Sequence, residues 1–193
     1  MANADTPMGL VPVGNLNGAP FNGRVTRYYI PSTDTTAAYY IGTLVKPAGS
    51  ADADGVMTVT GNVSTGDAVL GPIVTVEPIT RESTIYRENS TSRYVYVADD
   101  PDTLFAVQDD AAATPTAGMV GNAADLTGFT SGSTATGRSS TEISMASITA
   151  SGDGTEDVIV RGLLRSPDNT IGDNAVWIVR LNNHFYTDAS AGA

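Results

Sequence analysis

No stretch of this 193-residue chain keeps an apolar helical period for more than two turns, and that closes off most helical architectures. In its place runs a succession of short segments rich in β-branched and aromatic residues: Val25–Ile30, Tyr39–Val45, Val56–Thr60, Ala68–Val76, Tyr94–Ala98, Leu104–Gln108, Ile143–Ile148, Val158–Leu164 and Val176–Leu181. Between them lie Pro47-Ala48-Gly49-Ser50, Asp52-Ala53-Asp54-Gly55, Ser64-Thr65-Gly66-Asp67, Asp99-Asp100-Pro101-Asp102, Gly152-Asp153-Gly154 and Ser166-Pro167-Asp168-Asn169, whose composition predicts turns. Many short strands with regular turn signals predict an all-β fold, a β-barrel or a jelly-roll-like sandwich. The chain is long enough to bury a core without disulfides or metals.

Alternation assigns faces. In Val176–Leu181, Trp177, Val179 and Leu181 share one side and Arg180 falls on the other, so the tryptophan side is expected to be the core. Tyr94 and Tyr96 share a face opposite Val95 and Val97, and the pairs Tyr28-Tyr29 and Tyr39-Tyr40 are expected to point to opposite sides.

Two segments depart from the strand pattern. Residues 1–23 hold Pro7, Gly9, Pro12, Gly14, Gly18, Pro20 and Gly23, a density of breakers that predicts an extended arm preceding a single β domain over residues 24–193. The arm also carries Leu10, Val11, Val13, Leu16 and Phe21, apolar residues that a tail lying on nothing has little reason to hold. Residues 111–141 read as one long inserted loop of Gly, Ser, Thr and Ala, a length that marks either a contact loop or a mobile one.

Chemistry finds little support. The chain has no cysteine, which excludes thiolate metal sites, redox pairs and cysteine nucleophiles. The one histidine, His184, follows the last strand run, and no Gly-x-Ser-x-Gly turn exists to present a serine to it, so it is expected to be structural. Asp52-Ala53-Asp54-Gly55 resembles the middle of a calcium loop, but Gly61 stands where a bidentate Glu is needed. Asp99, Asp100 and Asp102 face Asp109 and Asp110 only if the two intervening strands pair as a hairpin, and a solvated turn is the simpler expectation. Acidic pairs of the glycosidase kind are neither favoured nor ruled out by composition. No metal, cofactor or catalytic residue is expected.

The formal net charge is −11, and the nine arginines and single lysine form no run, so nucleic acid is not an expected partner. Arginine in preference to lysine fits protein interfaces. Neither a signal peptide nor a membrane-spanning helix can be drawn, so a soluble compartment and no membrane partner are expected.

Three blocks remain distinctive: Gly18-Ala19-Pro20-Phe21-Asn22-Gly23 leading into Tyr28-Tyr29-Ile30-Pro31; Arg93-Tyr94-Val95-Tyr96-Val97-Ala98-Asp99-Asp100-Pro101-Asp102 followed by Phe105 and Gln108; and Ala175-Val176-Trp177-Ile178-Val179-Arg180-Leu181-Asn182-Asn183-His184. In this order, from about Gly9 to His184, the chain resembles the capsid decoration (cement) proteins of tailed bacteriophages, encoded beside the major capsid protein. The resemblance implies a structural, non-enzymatic virion protein, made in the host cytoplasm. It would sit on the outer capsid surface as a homo-oligomer, with a trimer expected before a dimer, and cement neighbouring major capsid protein subunits. The family offers no catalytic residues to carry over. From this sequence itself, the residues expected to meet a partner are Leu10, Val11, Leu16 and Phe21 in the arm, Arg24 and Arg27 at its base, and Arg138 in the long loop. The competing readings are a glycan- or receptor-binding β module of a head fibre or tail, a hydrolase using Asp99 and Asp102, and a cellular structural protein.

Overall fold

The alternating strands are satisfied by a barrel and an open sheet, each covering its own apolar core. The computed structural model describes residues 3–150 and 154–187. In chain order the strands are β1 (Val11–Asn15), β2 (Thr26–Ile30), β3 (Leu44–Ala51), β4 (Met57–Thr60), β5 (Gly71–Val76), β6 (Arg93–Val97), β7 (Thr103–Gln108), β8 (Ala123–Ala124), β9 (Leu126–Thr127), β10 (Glu142–Ile143), β11 (Val158–Leu163) and β12 (Val176–Leu181). Two single turns of 3-10 helix, Ala117–Met119 and Met145–Ser147, complete the regular structure. The chain is therefore all-β. Strands β2-β4-β3-β5-β6 form a closed barrel, β1-β7-β12-β11-β8 an open sheet, and β9 pairs with β10.

The barrel fills with Tyr28, Ile30, Tyr39, Val45, Val59, Leu70, Ile73, Val76, Val95 and Val97. The sheet covers a larger core that includes Leu10, Phe105, Val107, Met119, Leu126, Ile143, Val158, Val160, Trp177, Val179 and Leu181. Strand β3 couples the two, because Leu44 faces the sheet core and its neighbour Val45 the barrel core. The Trp177, Val179 and Leu181 face is buried as alternation requires. Trp177 donates from Nε1 to Asp109 Oδ2 at 3.0 Å. The Asp109 carboxylate also accepts the backbone N–H groups of Ala111, Asn174 and Ala175. A fully buried carboxylate is tolerable only when its lone pairs are filled in this way.

Residues 3–23 are not a separable arm. Val11–Asn15 pairs antiparallel with β7, and Leu10 is 1% exposed within the sheet core, which stabilises the fold by about 2 kcal/mol through burial alone. The segment is seated by a close backbone contact. Gly9 and Gly42 both have positive φ, and a Cβ on Gly9 would lie 2.8 Å from Gly42 O while one on Gly42 would lie 3.0 Å from Gly9 Cα. After the turn at Asn15–Ala19 the chain doubles back, so Pro20 bridges Gly14 and Phe21 N–H donates to Val13 O, covering the outer edge of β1. At the other end of the sheet, Ala123 bridges Thr149.

Other expectations are corrected. Residues 111–141 are not one open loop: they contain β8, β9 and the first 3-10 turn, and they bury Met119, Ala124 and Leu126. Pro47-Ala48-Gly49-Ser50 does not end a strand. It lies inside β3, where a register shift between Pro47 and Ala51 lets the breakers pass as a bulge. Tyr39 and Tyr40 are both buried but against different partners, Tyr39 in the barrel core and Tyr40 stacked on Tyr86, while β3 itself begins only at Leu44, after the left-handed Gly42. The expected strand Ile143–Ile148 stops at Ile143, where Met145 N–H turns to Asp110 Oδ1 at 2.9 Å. The Gly152-Asp153-Gly154 turn lies mostly outside the described residues.

Two expectations about stability follow. Asp109→Ala strands the Trp177 indole and three backbone donors, and should cost about 3–5 kcal/mol in a urea denaturation series. Burial first, then repulsion from Asp5, Asp110 and Asp109, raises the Glu142 carboxyl to about 7. Between pH 4.5 and 7 the native state thus holds a proton that the unfolded chain has lost, so this group's contribution falls as pH rises through that window. Glu142→Gln should be more stable than the parent at pH 8 by about 1–2 kcal/mol, allowing for solvent screening, with the difference vanishing near pH 4.5.

Candidate functional site

Three carboxylates at the corner between β6 and β7 join the barrel to the sheet. Asp99 accepts from Thr26 Oγ1 at 3.0 Å and from Tyr28 Oη at 2.7 Å, both on β2. Asp100 pairs with Arg24 at 3.2 Å, and Asp102 lies 3.6 Å from Arg180 of β12. Arg180 Nε also donates to Pro101 O, and Leu16 N–H donates to Asp102 O at 2.9 Å. Tyr28 Oη meets Tyr186 Oη at 3.0 Å, and Tyr186 N–H donates to Nδ1 of His184. Burial first, then the hydrogen bonds to Tyr186 and to the Asp99 carboxylate, raises the Tyr28 phenol well above its ordinary range. His184 is 1% exposed, and burial lowers its imidazole despite an opposing pull from the Leu70 backbone. Its Nε2 has no partner at full hydrogen-bonding geometry among the described residues.

The acidic residues singled out as metal candidates are occupied otherwise. Strands β6 and β7 do not pair as a hairpin: β6 lies between β2 and β5, and β7 between β1 and β12. Asp109 and Asp110 are therefore at the far end of β7 from Asp102, engaged with backbone donors. Asp52 Oδ1 accepts the N–H groups of Asp54 and Val56, and its Oδ2 accepts Tyr94 Oη at 2.6 Å.

Leu16, Phe21 and Arg24 gather near this corner. Leu16 is 39% exposed at the turn after β1, Phe21 packs partly against the sheet core, and Arg24 is exposed beside a depression of about 270 Å³ that Phe21 also lines. Val11 is half-buried in β1. Leu10, expected at a partner surface, has its side chain wholly committed to the core.

Arg27 belongs to a second surface, the outer wall of the barrel. Register sets Arg27 opposite Tyr96 and Tyr29 opposite Tyr94. Arg27 makes a forked pair with Glu77 at 2.8 and 3.0 Å and lies over the Tyr94 ring, 3.5 Å from its centroid. Tyr96 Oη donates to Glu77, and the Tyr29 and Tyr94 rings are 5.0 Å apart. Arg27 holds the Glu77 carboxyl below its ordinary value.

Beside this wall, the segment between β5 and β6 presents Ile79 at 71% and Ile85 at 54% exposure. Two buried arginines fix it from within. Arg93 donates to Glu77 O, Thr84 O and Thr84 Oγ1 at 3.0–3.1 Å, closing the loop on itself. Arg87 is fully buried and donates to the carbonyls of Thr91, Ala37, Pro31 and Asp34. Arg138 is exposed and follows Gly137, whose Cβ would lie 2.4 Å from Ile85 Cγ1. Sequence reasoning missed Arg87 and Arg93 because nothing local marks an arginine whose acceptors are carbonyls up to 56 residues away.

Comparison with known proteins yields no match to a family model, a curated protein or a solved structure.

Arg93→Ala should leave the barrel folded but release the Glu77–Thr84 closure. Amide exchange of residues 78–85 is expected to quicken by about tenfold or more, with β6 amides little changed.

Proposed function

We propose that this protein is a structural virion component that binds the outer face of an icosahedral phage capsid as a homotrimer and cements neighbouring major capsid protein subunits. The observation that carries this reading is the arginine-pinned loop, which holds Ile79 and Ile85 out to solvent beside an outer wall rich in arginine and tyrosine. Exposed apolar side chains on a pre-set loop can be buried by a partner with little loss of conformational entropy. Tyrosine and arginine supply contact area and forked hydrogen bonds at the same surface. The sequence blocks resembling decoration proteins run through these elements: Arg93–Asp102 forms β6 and the acidic corner.

The mechanism differs from an arm laid across subunit boundaries. Backbone pairing of residues 11–21 is spent inside the fold, so a capsid contact has to run through side chains of the loop and of the Leu16 turn. Each contact is small, and repetition over many copies makes the sum large. The reading assigns the protein no catalytic step.

A second reading has one supporting feature. An open cavity of about 460 Å³ is lined by Tyr29, Tyr94, Glu77 and Ile79, an aromatic and acidic lining that suits stacking of a sugar ring.

Copy number in purified particles separates the two. Near-parity with the capsid subunit is expected for a cement, whereas a handful of copies together with glycan-array binding would sink that reading in favour of a fibre or tail module. Ile79→Asp with Ile85→Asp should leave the fold and thermal midpoint unchanged and lower capsid occupancy by about tenfold or more, measured by co-sedimentation.

A further inference from the structure

The cations of this acidic chain divide sharply. Lys46, Arg24, Arg27 and Arg180 are paired with carboxylates, and Arg87 and Arg93 are buried against carbonyls. Arg81, Arg138, Arg161 and Arg165 make no ion pair or side-chain hydrogen bond with any described residue, although acidic residues outnumber basic ones 21 to 10. Of these four, Arg161 and Arg165 line one depression of about 730 Å³, completed by Gly162, Leu163, Ser166, Pro167 and Asn169.

The backbone is shaped to aim these groups. In the β11–β12 ladder, Val160 pairs with Val179 and Gly162 with Ile178, so Arg161 is the extra residue of a bulge. Bulges turn a side chain away from the direction the ladder would give it. The following turn is locked by Asn169, whose Nδ2 donates to Leu164 O and Val176 O at 2.7 and 2.8 Å while its Oδ1 accepts Val176 N–H at 2.9 Å. That clamp fixes the stretch carrying Arg165 and Ser166. A Cβ built on Gly162 meets no atom within 4 Å, so space stands open above it. Two guanidinium groups lining one depression can both donate to a single oxyanion, which accepts several charge-assisted hydrogen bonds.

We infer that this depression binds an oxyanion, carboxylate or phosphate, through Arg161 and Arg165 with Ser166 Oγ as a further donor. The site lies apart from the Ile79 loop and does not rest on the capsid reading.

The test titrates the folded protein, in low-chloride buffer, with two probes: inorganic phosphate and a capped peptide carrying two glutamates. Backbone amide shifts of residues 161–169 report binding. Saturable shifts with at least one probe are expected; phosphate alone would identify a small-anion site, and the peptide alone a carboxylate offered by a partner protein. Arg161→Ala with Arg165→Ala changes two exposed side chains and should weaken binding by tenfold or more. Gly162→Asp keeps both arginines and supplies an internal competitor, and should weaken binding comparably. The inference is overturned if neither probe saturates, or if the double-alanine variant binds as well as the parent.

Discussion

The corner at Asp99–Asp102 is the constraint on which the two halves of the molecule depend. A closed barrel and an open sheet, each with its own core, have no reason to keep a fixed mutual orientation unless something ties them at the crossing. Here one four-residue turn sends Asp99 to β2, Asp100 to the residue leading into β2, and Asp102 towards β12. The exposed pairs contribute little individually. The Asp99–Tyr28–Tyr186 chain runs from the buried Tyr28 out to the half-exposed Tyr186, and because it spans three elements it sets geometry as well as energy. The shared strand β3, with Leu44 in one core and Val45 in the other, makes the same connection through packing.

Buried charge serves architecture elsewhere in the fold too. Asp109 gathers an indole and three backbone donors around the turn before β12, and Arg87 gathers four carbonyls from two stretches of chain. Neither has an oppositely charged side chain as its main partner. Such centres bring segments together that have too few apolar residues to cohere by burial, and they explain how irregular stretches such as 31–43 and 77–92 can be held still. Stillness matters for the surface reading, since a loop that is already ordered loses less freedom on binding.

Sequence pattern made the strands and the Trp177 face legible because both follow from side-chain alternation, a property local to five or six residues. The failures share a cause. Pro47 to Ser50 carries turn chemistry but is absorbed by a bulge, residues 10–15 look like an arm but find β7 more than 80 residues away, and Leu126 and Met119 look like loop residues but complete a distant core. Each outcome is decided by a tertiary partner that local propensity does not encode. Leu16, Arg24, Arg27 and Arg138 are exposed, whereas Leu10 is not, and the residues that shape the surface around Arg27 and Arg138, Ile79 and Ile85 held by Arg87 and Arg93, carry no local signal.

The doubling back of the chain at Pro20 has a consequence for how this protein behaves when crowded. An open five-stranded sheet would ordinarily offer rows of unpaired amides and carbonyls on which another chain could extend the ladder, the seed of fibrous aggregates. Here the β1 margin is overlaid by the chain's own return and the β8 margin is met by Thr149. With a net charge of −11 adding long-range repulsion between copies, the native fold can be packed to high local density without nucleating strand exchange.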